Sequence, residues 1–133
     1  MVTDTQDPTF VTTDHTQAFP LVQVADLAQV RAFYLETMGC PATYDLERYL
    51  QVQLTPFGEK GPQLCFMVFE GATGSQGVLL SVPVANADQV QAKLEDAGVP
   101  IADPATDRPW GWRSLHVVDP TGLVLDFFHE LPQ

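Results

Sequence analysis

Pro109-Trp110-Gly111-Trp112-Arg113-Ser114-Leu115-His116-Val117-Val118-Asp119-Pro120-Thr121-Gly122-Leu123-Val124-Leu125-Asp126-Phe127-Phe128 is the stretch on which the fold turns. Two apolar runs flank Asp119-Pro120-Thr121-Gly122, where proline presets one backbone angle and glycine permits a positive φ, so the segment predicts a β-hairpin. With Pro120 to Gly122 as its loop, the period of two along a strand sets His116 opposite Asp126 and Ser114 opposite Phe128. One face of the hairpin then carries an imidazole, a carboxylate and aromatic rings, with Trp110 and Trp112 leading into it.

Working back from the hairpin, the chain shows the same order of elements twice. Phe19 to Val24 reads as a short strand with Phe19, Leu21 and Gln23 on one face and Val22 and Val24 on the other. Asp26 with Gln29 has the form of a helix-capping box, Val30, Phe33, Tyr34 and Met38 repeat at helical spacing, and Gly39 with Pro41 ends the helix. Three strands are expected at Ala42 to Leu46, Arg48 to Leu54 and Gln63 to Phe69, and Tyr49, Gln51 and Gln53 share a face. Pro56-Phe57-Gly58 with Gly61-Pro62 marks the loop between the last two.

A connection rich in Gly71, Gly74 and Gly77 follows, flexible by composition. Then come a strand at Val78 to Val84, a second capping signature at Asn86 and Gln89, a helix face of Val90, Leu94 and Ala97, and a stop at Gly98-Val99-Pro100. A short strand near Ile101 leads to the hairpin. Superposing Gly39 on Gly98 aligns the two strand-helix units. The repeat predicts an α+β domain over 18–133, with modules at about 18–70 and 78–129, mainly antiparallel sheets, helices outside and a shared concave face. Residues 1–17, polar and rich in Thr and Asp, read as a flexible arm.

Composition narrows the function. A chain of 133 residues is one domain by size, and 17 acidic against 6 basic side chains give a net charge of -11. That balance excludes phosphate-rich partners, so neither nucleic acid nor an anionic membrane surface is expected. It serves either as a solubility device or as an attraction for cationic small molecules. No membrane-spanning run and no signal peptide are read, which points to the cytoplasm. Cys40 and Cys65 have neither metal-ligand spacing nor the density of a disulfide scaffold, and both read as reduced packing residues. His15 lies in the arm, and His129 and Glu130 are expected to follow the last strand into solvent.

Val24-Ala25-Asp26-Leu27, Phe33-Tyr34, Met38-Gly39, Ala97-Gly98-Val99-Pro100, Pro109-Trp110-Gly111 and Asp119-Pro120-Thr121-Gly122 followed by Asp126 together resemble the vicinal oxygen chelate superfamily. It includes glyoxalase I, extradiol dioxygenases, fosfomycin-resistance enzymes and bleomycin-resistance proteins. The resemblance runs from Phe19 to Phe128 and implies paired βαβββ modules in a cupped sheet, in a homodimer with cavities near the interface. The superfamily supports several chemistries on this scaffold, so function has to be argued from the site.

Metal-dependent members take one ligand from the first strand of each module and a Glu from the last strand. Alignment from the helix-ending glycines gives those positions to Phe19, to Leu79 or Val78, and to Asp126. Only the last can coordinate, and a catalytic divalent site needs about three protein ligands. No metal and no cofactor are therefore expected. A rearranged site of His116, Asp126 and Gln23 is the metal-binding alternative.

Pro109-Trp110-Gly111 is similar to bleomycin-resistance proteins in particular. That likeness implies a Trp110 that stacks on a planar ligand and an acidic groove that receives a cationic tail. The expected function is metal-independent sequestration of a planar compound, the acidic charge favouring a cationic one. Phe19, Gln23, Tyr49, Gln51, Trp110, Ser114, His116, Asp126 and Phe128 are the expected cavity residues. The alternative is a lyase, isomerase or dioxygenase-like enzyme in which His116 and Asp126 carry acid-base chemistry, since the position of His116 holds a catalytic tyrosine in the extradiol dioxygenases. A third reading is an interaction module with a filled cavity.

Overall fold

The computed structural model describes residues 19–54 and 62–132. The first module runs β1 (Leu21–Val24), α1 (Ala28–Arg31), β2 (Ala42–Asp45), β3 (Tyr49–Gln53) and β4 (Gln63–Val68). The second repeats it as β5 (Leu79–Pro83), α2 (Ala87–Asp96), β6 (Asp103–Asp107), β7 (Trp112–Val118) and β8 (Val124–Glu130). The strands form two four-stranded sheets of order β1-β4-β3-β2 and β5-β8-β7-β6. In each, the first strand pairs parallel with the last and the other pairs are antiparallel. This is the α+β architecture that the repeat predicts. The expected arm at 1–17 and most of the loop between β3 and β4 lie outside the described residues.

Alternation along the strands makes the core. Val22 and Val24 are buried while Leu21 and Gln23 are exposed. The same parity sends Leu50, Val52, Leu64 and Phe66 of one sheet, and Val82, Leu115, Val117, Leu125 and Phe127 of the other, into a single apolar cluster. Val30, Tyr34 and Met38 fill it from the first module's helical segment, and Ala87 and Leu94 from α2. The opposite parity leaves one face of each sheet for the site.

Four local features depart from the sequence reading. After Arg31 the first helix widens into a π-helical segment, Ala32–Thr37, closed by Met38 N donating to Phe33 O at 2.9 Å, and past its end Cys40 N donates back to Tyr34 O at 2.8 Å. Asp26 does cap, but its Oδ1 accepts from Ala28 N at 2.9 Å, a shorter turn than the capping box. The strand expected near Ile101 is displaced to Asp103–Asp107, with its pairing interrupted between Asp103 and Thr106. Pro104, without an N–H, is tolerated there because β6 is an edge strand. His129 is not a solvated tail residue. It lies within β8 and its Nδ1 accepts from Ala87 N at 2.8 Å, capping α2 beside the Asn86 Oδ1 to Gln89 N bond of 3.1 Å that the sequence predicts.

The hairpin turn joins the modules. Asp119, 4% exposed, accepts Thr121 N at 2.7 Å, Thr121 Oγ1 at 2.7 Å and Leu123 N at 3.0 Å on Oδ1, and the Tyr34 hydroxyl at 2.6 Å on Oδ2. The glycine-rich connection is tied to the same turn, not loose as its composition suggests. Ser75 N donates to Thr121 O at 3.0 Å, and Gly74 packs so closely that a Cβ there would come within 2.6 Å of that oxygen. Among the described residues no helix is long and apolar enough to cross a membrane.

Candidate functional site

The hairpin register is the one expected: Ser114 pairs with Phe128 and His116 with Asp126. Lateral pairing extends it across the whole sheet. Ser81 of β5 is in register with Asp126, and Asp103 of β6 with His116. In-register residues on adjacent strands share a face, so Ser81, Asp126, His116 and Asp103 form a polar row running from one edge of the sheet to the other.

Short contacts link the row. Ser81 Oγ donates to Asp126 Oδ2 at 2.8 Å, and His116 Nε2 lies 3.2 Å from Asp126 Oδ1. That separation is off the line of a good hydrogen bond, and Oδ1 is a buried oxygen without a bonded partner. On the other side His116 Nδ1 lies 3.8 Å from Asp103 Oδ2, beyond hydrogen-bond range. Asp103 Oδ2 itself accepts from an Arg108 terminal nitrogen at 3.0 Å, while Arg108 Nε donates to Ser114 Oγ at 2.8 Å. Ser114, 1% exposed, is thus taken up by Arg108 and is not a nucleophile partner of His116.

Beside the row lies an aromatic strip. Trp112 and Phe128 stack with centroids 3.8 Å apart and planes 14° from parallel. Trp110, the tryptophan of the Pro-Trp-Gly segment, stands on the loop between β6 and β7 and is 64% exposed. A turn pins that loop: Arg108 N donates to Trp112 O at 2.6 Å and Gly111 N to Arg108 O at 3.1 Å. Trp112, which sequence reasoning passed over as a pocket residue, holds the stack. Arg113 points away from this face, clamping Asp88 and Asp107, and its guanidinium holds the Asp88 carboxyl below the usual range.

The remaining expected residues sit on the other sheet. Gln23 is in register with Met67 and that residue with Tyr49, while Gln51 pairs with Cys65. The Tyr49 hydroxyl donates to Gln51 Oε1 at 2.7 Å, and Gln51 Nε2 to Gln63 Oε1 at 3.2 Å, making a neutral polar surface. Burial first, then interaction with Cys65, pushes the Tyr49 phenol up to about 12. Burial also raises the Cys65 thiol against the opposing hydrogen bond of Tyr49, which suits a packing residue and not a reactive one. Phe19 precedes β1 and is 39% exposed. Phe19, Gln23, Tyr49 and Gln51 therefore form one set, and Ser114, His116, Asp126 and Phe128 another, each on its own sheet, with Trp110 on the loop beside the second.

Sequence reasoning missed Ser81, Asp103 and Arg108. Counting from the helix-ending glycines gives Leu79 or Val78 as the second ligand position, whereas the residue across from Asp126 is Ser81, further along β5. The donor set does not fit a metal ion: Phe19 and Leu79 offer no ligand atom, and among the described residues no three His, Cys, Asp or Glu side chains gather as a chelating group. A cleft of about 510 Å³ lies elsewhere, between the start of α1 and the Asp119–Gly122 turn. Another of about 320 Å³ follows the apolar seam between β1 and β5. The polar row and the aromatic strip lie on an open sheet face.

The family model described as Glyoxalase/Bleomycin resistance protein/Dioxygenase superfamily matches residues 12–127. No curated protein matched the chain. Among solved structures, a glyoxalase/bleomycin resistance protein from Streptomyces sp. CB03234 is 28% identical, covering 84% of this chain and 98% of its own, with a TM-score of 0.64. A bleomycin-binding protein complexed with bleomycin is 18% identical over 86% of this chain and 98% of its own, with a TM-score of 0.67. A glyoxalase/bleomycin resistance protein/dioxygenase from Nocardioides is 18% identical over 92% of this chain and 89% of its own, with a TM-score of 0.69.

Proposed function

Because the chain belongs to the glyoxalase/bleomycin resistance protein/dioxygenase superfamily, we propose that it is a metal-independent binding protein that sequesters a planar, cationic small molecule. The observation that carries this reading is the stacked Trp112–Phe128 pair lying beside a carboxylate row on the same sheet face. Arg108 compensates Asp103, so the charge left on the face is that of Asp126 and of Glu130, which pairs across from Trp112. A flat cation gains apolar contact with the rings and attraction from those carboxylates, reinforced by the net charge of -11. The bleomycin complex of a structural neighbour supports small-molecule binding on this scaffold.

The functional form is a cytoplasmic homodimer. Leu79 and Val118, each 49% exposed, flank the polar row, and Trp110 is 64% exposed on the loop before β7, so a second copy covering this face would convert an open surface into an enclosed one. A thermal-shift panel of planar cations and matched neutral compounds tests the function. A ligand at 100 times its dissociation constant stabilises by about 2.7 kcal/mol. The absence of any shift across the panel contradicts sequestration.

The enzymatic alternative has its own observation, a His116 placed 3.2 Å from a buried carboxylate. In that reading Asp126 orients the imidazole and His116 moves a proton at its exposed nitrogen. Turnover of a candidate substrate that survives His116→Ala removes it.

A further inference from the structure

The widest gap in the polar row lies beside His116. Its contacts from Ser81 through Asp126 to His116, and from Asp103 to Arg108 and Ser114, are within hydrogen-bonding distance, but His116 Nδ1 and Asp103 Oδ2 stand 3.8 Å apart. We propose that this break is the recognition point for a primary amine or amidine carried on the ligand's ring, and that Ser81 and Asp126 are positioning residues for it. The proposal rests on the reading of the protein as a binder of planar cations.

Proton placement follows from burial. Asp126 is 6% exposed, one of its oxygens is held by Ser81, and the other is shielded from solvent with His116 Nε2 as the nearest donor. In the neutral tautomer that puts the proton on Nε2, beside the unpartnered Asp126 Oδ1, His116 presents a lone pair at Nδ1. Asp103 Oδ2, receiving Arg108, is likewise an acceptor. Two acceptors face each other across the break, too far apart to bond and with no proton to share.

A nitrogen with two N–H groups can donate to both, whereas a hydroxyl has one proton and a tertiary amine with alkyl substituents leaves at least one acceptor unmet. The His116 side chain is 28% exposed and that of Asp103 42%, so a ligand can reach both from the open face. Phe128 lies two residues along β8 from Asp126, about 7 Å at the usual rise of a strand. A fused two- or three-ring compound resting against Phe128 and Trp112 therefore carries a ring amine to the break.

The test is a fluorescence titration with two dyes of one ring system, proflavine, which carries two primary amines, and acridine orange, in which both are dimethylated. Proflavine is expected to bind at least about ten-fold more tightly, equivalent to about 1.4 kcal/mol. In Asp126→Asn and in Ser81→Ala that ratio is expected to fall toward one. A general loss of structure weakens both dyes together and leaves the ratio in place, so the ratio reads positioning. Equal affinities for the two dyes on the native protein overturn the amine site while leaving planar-cation sequestration standing. A preference that survives both substitutions overturns it too, as mere steric exclusion of methyl groups. Binding of neither dye overturns the sequestration reading itself.

Discussion

Tyr34 and Asp119 tie the two modules together through their side chains. They are 85 positions apart, both buried, and joined by a 2.6 Å hydrogen bond. Removing the hydroxyl in Tyr34→Phe withdraws a donor from a buried carboxylate, and urea denaturation is expected to show a loss of about 1.5–3 kcal/mol. The phenol also carries an alkaline signature. Burial first, then the Asp119 charge, hold the Tyr34 phenol well above its ordinary value, and the Tyr49 phenol is pushed up to about 12. Above pH about 10 an unfolded phenol ionises while the folded protein keeps its proton, so the unfolded state binds fewer protons and stability falls as pH rises through that window. Denaturation curves from neutral pH to pH about 12 should show that fall, shallower in Tyr34→Phe. An unchanged slope in the variant would rule out Tyr34 as its source. Helical spacing marks Tyr34 as a core residue and the turn pattern marks Asp119, but nothing local says that they meet. Such a contact is fixed only when both modules have packed.

At the scale of elements, the hairpin was legible because its information is local. Asp119-Pro120-Thr121-Gly122 sets the loop, Gly122 adopts φ 91°, and the period of two then fixes His116 against Asp126. The polar row was not legible, because Ser81 reaches Asp126 through a parallel pairing made across a long crossover, and Asp103 reaches His116 past an interrupted ladder. Likewise the widening of the first helix at Ala32–Thr37 leaves no signal in a pattern that reads as ordinary helix. The connection between modules gives a sharp prediction. Gly74 has φ 83° and no room for a Cβ, so Gly74→Ala should destabilise by about 1–3 kcal/mol, whereas Gly71→Ala, with open space around it, should carry only the backbone cost. Equal losses at the two positions would show that the packing of Gly74 against Thr121 is immaterial. At α2, Asn86→Ala removes one of two caps and should cost about 1 kcal/mol by the same measurement.

Over the whole molecule, a net charge of -11 and a carboxylate-bearing aromatic face act in the same direction. Cation affinity should fall as salt rises from about 0.01 M to 1 M, where the screening length shortens from about 30 Å to 3 Å, while a neutral planar compound should respond little. Isothermal titration at the two salt concentrations checks this. The superfamily was recognisable from turn and helix-end motifs spread over the chain, since those positions are dictated by backbone geometry that every member shares. The ligand was not, because the face is assembled from single side chains on strands whose neighbours are settled only by folding. The most direct measurement is a proflavine fluorescence titration of the native protein in excess EDTA, repeated with added Zn²⁺ or Mn²⁺ and with Trp112→Ala. Saturable binding that is unchanged by chelator or metal and weakened at least about ten-fold by loss of the stack, about 1.4 kcal/mol, is the predicted result. Binding that appears only with a divalent ion, or that ignores the loss of Trp112, contradicts metal-independent sequestration at this face.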